Sequence, residues 1–249
     1  MSGAIQTILN HRSIRSFTDQ PLTEQQIKEL VSAAQAASSA SFQQSYSIIG
    51  VSDESVREEI RACSGGQEFI VKSGHFFVFC ADLYRHKEIA TNLGTDISQT
   101  IEGIDALMLG AIDASLAAQN MTIAAESMGL GVCYVGGVRD GVIGVSASLG
   151  LPDYVLPVFG LAVGYPEEIN EKKPRLPFET IYHKNHYDMD KDKLFAQLAQ
   201  YDQTMESYFG QRTTNKRQIT WTEHSINSLL AHPRTFMKDF VTQKGWAKH

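Results

Sequence analysis

The residues best suited to chemistry are basic side chains in two short clusters that could bind an anion. His11-Arg12-Ser13-Ile14-Arg15 brings three basic or potentially basic side chains and a hydroxyl into five positions. Guanidinium groups and hydroxyls hydrogen-bond phosphate oxygens, so this cluster could hold one phosphate. In Lys172-Lys173-Pro174-Arg175, proline stiffens the backbone around Lys173 and Arg175. Taken alone, the first cluster is also typical of a solvated basic loop, and the second of a charged surface linker.

Glycine-rich loops form a second group of candidates. In Tyr134-Val135-Gly136-Gly137, two glycines directly follow a predicted strand. Glycine lets a planar ligand approach the backbone and lets successive N–H groups point at it. A simple tight turn is the alternative. Gly65-Gly66-Gln67 and Ser38-Ser39-Ala40-Ser41 are further polar loops, each typical of a plain turn when considered singly.

Several common catalytic signatures are absent. The chain has no G-x-G-x-x-G, because Gly129-Leu130-Gly131 is followed by Tyr134 at the position of the third glycine. It also lacks G-x-x-x-x-G-K-[ST], H-E-x-x-H and G-x-S-x-G, the simplest signatures of nucleotide hydrolysis, zinc proteolysis and serine esterase chemistry. His86, His183 and His186 are interpreted as surface or structural histidines without a catalytic role.

Composition is that of an ordinary soluble globular protein. The 249 residues are 43% hydrophobic and 20% charged, enough for a core without disulfides or a structural metal. Cys63, Cys80 and Cys133 lie far apart with no C-x-x-C pair, which indicates free thiols in a reducing compartment. No histidines lie near these cysteines at zinc spacing, so we expect no bound metal. The N-terminus does not resemble a secretory signal, so we expect a cytoplasmic protein.

Charge argues against nucleic-acid and membrane partners. The net charge is −6, with +4 on residues 205–249 and −10 on the rest. A nucleic-acid protein would show a dense basic face. The most apolar stretch, 106–125, is interrupted by Asp113, Gln119 and Asn120, which makes a membrane span improbable.

Periodicity predicts the elements that position these residues. Short β-branched or aromatic runs predict strands over Ser45–Val51, His75–Ala81, Val132–Val135 and Val155–Val163. Predicted helices are Ile5–Leu9, one starting at Thr23 with Gln26 as its capping-box partner, Glu102–Met128, Arg139–Leu149, Leu194–Phe209 and Glu223–Leu230. The helix ending before Gly129 is apolar over most of its circumference, so we expect protein to enclose it on most sides.

Strands that do not alternate strictly with helices predict an α+β fold, a central sheet surrounded by helices. The polar stretch Glu167–Pro177 indicates a surface connection, which divides the chain into a core, 1–166, and a C-terminal extension, 167–249. The extension has few apolar residues of its own and needs a surface to pack on, for which a second copy of the chain is a good candidate. The polar segment Gly210–Thr220 is expected to be mobile.

Several motifs taken together resemble one family. In chain order they are HRSIRSFTDQPLT, SSASFQQSYSIIGV, SGGQEF, VFCADLYRH, AAQNMTIAAESMGLGVCYVGGVRD, LPVFGLAVGYP, KPRLP and YDQTMESYFGQRTTNKRQITW. The chain is similar over essentially its whole length to the oxygen-insensitive NADPH nitroreductases of the NfsA type and to the related NADPH–flavin oxidoreductases.

The resemblance implies FMN bound at the interface of a homodimer with a nitroreductase-like fold, whose C-terminal arm embraces the partner subunit. The implied FMN contacts are His11, Arg12, Ser13, Arg15, Ser39, Gln67, Tyr134, Gly136, Gly137, Lys173 and Arg175. Lys173 and Arg175 would close on the phosphate, and the glycines would lie along the isoalloxazine. Arg15 would act as an electrostatic tuner of the reduced flavin. No catalytic side chain is required, because the flavin performs the chemistry.

The resemblance also assigns the NADPH 2′-phosphate to Arg212, Lys216 and Arg217, with Arg212 the strongest candidate. Lys216 stands where relatives commonly have arginine, so a bidentate contact could be lost there. The implied reaction is a two-electron, ping-pong reduction of nitroaromatics and quinones by NADPH. Two alternatives stay open: a flavin reductase that supplies reduced FMN to a partner enzyme, and a flavin-binding or sensor protein without turnover.

Overall fold

The computed structural model describes residues 3–212 and 218–249, which form two compact units. The first unit extends to Asn170 and also includes Arg234–His249. The second unit is Glu171–Pro233. The end of the chain therefore packs within the first unit, while the division of domains at residue 167 stays a prediction.

The described part of the first unit contains a four-stranded sheet. Its strands are β1 (Tyr46–Val51), β2 (His75–Asp82), β3 (Gly131–Val135) and β4 (Val155–Gly164). Their order is β1-β2-β4-β3, and every neighbouring pair is antiparallel. The four predicted strands and the α+β class are confirmed.

Helices of the first unit cover both faces of this sheet. In chain order the helices of both units are α1 (Gly3–Leu9), α2 (Glu24–Gln35), α3 (Glu54–Cys63), α4 (Phe69–Lys72), α5 (Tyr84–Asn92), α6 (Ser98–Ile101), α7 (Ile104–Ser127), α8 (Val142–Ser148), α9 (Phe178–Ile181), α10 (Lys191–Gln211), α11 (Trp221–Ala231) and α12 (Met237–Gln243). Leu30 of α2 and Met121 of α7 pack on one face, and Ile60 of α3 and Val145 of α8 on the other. No described helix has the length and hydropathy needed to cross a membrane.

The ends of the helices follow the expected chemistry in most places. The Thr23 hydroxyl accepts from the Gln26 N–H at 3.2 Å, and the Gln26 side chain accepts from the Thr23 N–H at 2.9 Å, so the predicted capping box is confirmed. The helix predicted from residue 139 instead begins at Val142, because Gly136–Arg139 forms a 3₁₀ turn directly after β3. Gly150 then ends α8 with a φ of 60°.

The described residues leave one side of helix α7 exposed. Its buried face consists mainly of small residues, such as Ala114, Ala117 and Ala118. A stripe of large apolar side chains four residues apart is instead about half exposed: Ile104, Met108, Ile112 and Leu116. The described residues cover mainly the small-residue face, so the expectation that protein encloses this helix on most sides stays a prediction.

The second unit is built on α10 and α11, which confirms the two helices predicted there. Tyr201, Met205 and Phe209 of α10 form its core. The side chain of Asp202 accepts from the backbone N–H of Thr222 at 3.0 Å, which joins the first turn of α11 to α10. Of the predicted mobile segment 210–220, residues 213–217 lie outside the described part of the chain.

His75 is a buried histidine that should make folding sensitive to acid. Its ring packs on Phe77, and its Nε2 has no hydrogen-bond partner among the described residues. Burial, followed by the charge of Arg57, lowers the pKa of His75 to about 4. The unfolded chain binds a proton on this residue near its ordinary pKa of about 6.5, so the folded state loses stability as the pH falls from there towards 4.

We expect the free energy of unfolding to drop by up to about 3 kcal/mol between pH 7 and 4 because of this one group. The measurement is urea unfolding across that range for the wild type and for His75→Phe, whose ring cannot be protonated. The variant should keep more of its neutral-pH stability at pH 4.5. Identical pH profiles for the two proteins would exclude His75 as the source.

Candidate functional site

The first basic cluster runs alongside β3. Ser13 pairs with Val132 in a parallel bridge, and the N–H of Ile14 donates to the carbonyl of Val132 at 2.9 Å. Gly131 makes this approach possible, because a Cβ there would lie 2.7 Å from Cγ1 of Ile14. Beyond Ile14 the chain turns towards the residues that follow β4, where the carbonyl of Ser16 accepts from the N–H of Glu167 at 3.0 Å and Phe17 pairs with Pro166.

Two side chains of the cluster are held by hydrogen bonds. Nδ1 of His11 lies 2.7 Å from Oε1 of Glu126, in the last turn of α7. Arg12 donates to the backbone carbonyls of Asn10 at 3.2 Å and Asn170 at 3.4 Å. A cavity of about 450 Å³ adjoins the cluster and is lined in part by Arg12, Glu126 and Gly131. Arg15 is exposed.

The two glycines after β3 have different surroundings. A Cβ on Gly137 would lie 2.6 Å from the backbone oxygen of Ser64 and 3.4 Å from Nε2 of Gln67. This glycine therefore lets the Gly65-Gly66-Gln67 loop approach the chain. A Cβ on Gly136 would meet only the end of the Arg139 side chain, at 3.4 Å. Of the two glycines, Gly136 leaves more room for a ligand beside the backbone.

The site is therefore elongated along β3. Ser13 lies beside Val132 near the start of the strand, and Gln67 meets Gly137 just past its end. Gly136 lies four positions beyond Val132, which corresponds to roughly 13 Å of extended chain. Such a site fits an elongated ligand with an anion at one end and a planar polar ring at the other. FMN has this form, so the residues present fit the group that the resemblance implies.

Tyr134 supports the strand from the side of α7. Its hydroxyl accepts from Thr122 at 3.1 Å and lies 3.4 Å from the side-chain oxygen of Gln119. Its ring meets Phe159 edge-to-face at a centroid distance of 5.3 Å. Burial raises the pKa of the Tyr134 hydroxyl above its usual value, so this group is a neutral hydrogen-bonding side chain. The side chain therefore stabilises β3, and a ligand contact from Tyr134 stays a prediction.

The loop carrying Ser39 is held by Asp113, a residue to which the sequence analysis gives no role. Asp113 is 1% exposed, and its two carboxylate oxygens each accept a backbone N–H at 3.0 Å, one from Ala40 and one from Ser45. Between these points, Ser41 and Phe42 both have positive φ, as does Gln44. Such conformations are unfavourable for residues with a side chain and concentrate at functional sites. The sequence signal was that Asp113 is the single acidic residue of the apolar stretch 106–125.

The remaining predicted residues lie in the second unit or outside the described chain. Lys173 and Arg175 follow the start of the second unit. Arg212 directly follows α10, with its guanidinium carbon 5.9 Å from the centroid of the Tyr208 ring. Lys216 and Arg217 lie outside the described residues. In the described chain, no group of three or more His, Cys, Asp or Glu residues could hold a metal ion.

The α+β fold described above is that of a known class of proteins. The chain belongs to the nitroreductase family, which matches residues 8–165, and the C-terminal domain of that family matches residues 173–249.

Named relatives agree with this membership. An FMN reductase (NADPH) of Bacillus subtilis (strain 168) is 51% identical over 249 residues, which cover 100% of both chains. An NADPH-dependent oxidoreductase of Staphylococcus aureus (strain MSSA476) is 45% identical over 218 residues, 87% of this chain and 86% of the relative. The solved structure of the NfrA1 nitroreductase from B. subtilis has a TM-score of 0.97 at 51% identity, covering 99% of this chain and 100% of the other.

Proposed function

We propose that this protein is an FMN-dependent NADPH oxidoreductase that reduces nitroaromatics and quinones by two electrons in a ping-pong cycle. The observation that carries the proposal is the position of two segments along β3. Ser13 pairs with Val132 near the start of the strand, and Gly137, just past its far end, lies against Gln67. The named relatives, an FMN reductase and an NADPH-dependent oxidoreductase, support the same chemistry.

In this proposal the chain binds and orients FMN, which when bound supplies the two-electron redox chemistry. His11, Arg12 and Ser13 hold the phosphate near the start of β3. By the resemblance alone, Arg15 places a positive charge beside the ring, where it would stabilise negative charge. The backbone at Gly136 leaves space beside the ring. The resemblance alone adds Ser39, Lys173 and Arg175 as further contacts.

Arg212 is the proposed contact of the NADPH 2′-phosphate that can be tested within the described chain. We expect Arg212→Ala to lose about 1.5–3 kcal/mol of NADPH binding, the value of a charged hydrogen bond. NADH, which lacks that phosphate, should be used as before. The measurement is kcat/KM for the two nucleotides, with the visible flavin spectrum as a control for an intact site. An unchanged NADPH to NADH ratio would remove Arg212 from the site.

We further propose a homodimer that covers the apolar stripe of α7. Ile104, Met108, Ile112 and Leu116 are about half exposed, and Ile5 and Ile8 of the neighbouring α1 are as well. Monomers rarely leave large contiguous apolar patches in water. Sedimentation should give twice the 27.6 kDa chain mass, and Met108→Glu should shift the protein towards the single-chain mass. A wild type that sediments as one chain at micromolar concentration contradicts the proposal.

The name of the Bacillus subtilis relative supports a second candidate, an NADPH–flavin reductase that supplies reduced FMN to a partner enzyme. Both activities use the same open side of the ring. Initial rates with nitrofurazone, a quinone and free FMN as acceptors distinguish them by which acceptor has the highest kcat/KM. A ping-pong cycle predicts parallel lines in double-reciprocal plots for NADPH at several acceptor concentrations. A cytoplasmic location stays a prediction from the N-terminal sequence.

A further inference from the structure

We propose that Glu126 is a positioning residue for the cofactor phosphate, acting through His11. The inference rests on the proposed function, since it needs FMN phosphate at the His11 segment. Nδ1 of His11 and Oε1 of Glu126 lie 2.7 Å apart, and the two side chains are only 26% and 13% exposed. This pair joins the last turn of α7 to the segment that runs along β3.

The chemistry of the pair decides which ring nitrogen is left for a ligand. An ionised carboxylate only accepts hydrogen bonds, so Nδ1 of His11 carries the hydrogen in this contact. The hydrogen bond to Glu126 therefore keeps a hydrogen on Nδ1 and fixes the plane of the His11 ring. Nε2 lies on the opposite edge of the ring, away from Glu126. When Nε2–H donates to a phosphate oxygen, both nitrogens donate, and the imidazolium lies between two anions, the carboxylate and the phosphate.

The backbone of His11 is fixed as well. The N–H of Asn10 donates to the carbonyl of Gln6 at 3.0 Å, and the N–H of His11 donates to that of Ile8 at 3.2 Å, so the residue follows directly from the end of α1. Glu126 is held by α7, and the N–H of Gly129, two residues beyond the end of that helix, donates to the carbonyl of Glu126 at 3.1 Å. A ring fixed at both ends loses little freedom when an anion binds, which favours affinity.

Simple electrostatics makes the opposite prediction, and this contrast gives a sharp test. A carboxylate near a phosphate site repels the ligand, so its removal should strengthen FMN binding if Glu126 acts only by its charge. If Glu126 acts through His11, its removal frees the ring and weakens FMN binding. Riboflavin lacks the phosphate, so its binding should not depend on the pair.

The experiment measures dissociation constants of FMN and riboflavin for the full chain, by recovery of flavin fluorescence on dilution. Glu126→Ala should bind FMN on the order of tenfold or more weakly, the value of one hydrogen bond to a charged group. Glu126→Gln retains an oxygen that accepts from Nδ1–H and should lie between Glu126→Ala and the wild type. Riboflavin binding should stay within about twofold throughout.

Glu29→Gln is the matched control for Glu126→Gln, because it makes the same replacement of glutamate by glutamine at an exposed residue of α2. It should leave both constants unchanged. The inference is overturned if Glu126→Ala binds FMN as tightly as the wild type or more tightly, or if riboflavin weakens to the same extent as FMN. A wild type that binds riboflavin and FMN equally well contradicts the phosphate site itself, and one that binds neither contradicts the proposed function. The inference fails in both cases.

Discussion

Ser13→Asp should bind FMN about 100-fold or more weakly than Ser13→Asn, two variants that differ almost only in charge. Two like charges about 4 Å apart near a protein surface repel by about 4 kcal/mol, and the phosphate of FMN lies beside Ser13 in our proposal. The backbone of Ser13 is paired with β3, so either side chain starts from the same place. The measurement is FMN release on dilution of the two proteins.

Riboflavin is the control ligand for this pair, because it carries no phosphate to repel. The two variants should bind riboflavin equally and melt at similar temperatures. Equal FMN affinity for Ser13→Asp and Ser13→Asn would place the phosphate elsewhere. A large loss of riboflavin binding in Ser13→Asp alone would mean that the substitution disturbs the strand and not the phosphate.

Asp113→Asn should destabilise the protein by about 3 kcal/mol, because a carboxylate that accepts two buried N–H groups is replaced by an amide with one acceptor. The amide NH₂ then faces either the Ala40 or the Ser45 N–H, and that donor is left without an acceptor. The loop between them, with positive φ at Ser41 and Phe42, should open more often. The measurements are thermal unfolding and amide hydrogen exchange of Ala40 and Ser45.

Asp105→Asn is the matched control on the same helix, since Asp105 is exposed in the first turn of α7. It should cost well under 1 kcal/mol, the value of a charge at a helix N-terminus. The prediction is contradicted if Asp113→Asn has the same melting temperature as Asp105→Asn and its Ala40 amide exchanges as slowly as in the wild type. In that case the Asp113 carboxylate does not hold the loop.

Strands and the long helix could be predicted because their signals are local. Each strand is a short β-branched or aromatic run, and the Thr23 capping box needs only two residues three apart. Helix α3, in contrast, has no predicted counterpart. Its sequence ESVREEIRAC is mostly polar, and its helical spacing consists of only three apolar residues, Val56, Ile60 and Cys63, which pack on the same core.

The parts of the site that could not be predicted depend on contacts between distant segments. The sequence suggests that Gly137 makes room for a ligand, whereas the structure uses the missing side chain to admit Ser64 and Gln67. The pairing of His11 with Glu126 joins residues 115 positions apart. Neither contact leaves a local pattern. The exposure of Met108 on α7 also escaped prediction, because composition shows that a helix is apolar but not which molecule covers it.

The most direct test of the central claim is the visible absorbance spectrum of the purified protein before and after anaerobic NADPH. We predict a yellow protein with bound FMN whose flavin absorbance is bleached by NADPH and returns when a quinone is added. A protein that is colourless and takes up no FMN would contradict the cofactor site. A yellow protein that NADPH does not bleach would contradict the enzymatic activity and leave a flavin-binding or sensor protein.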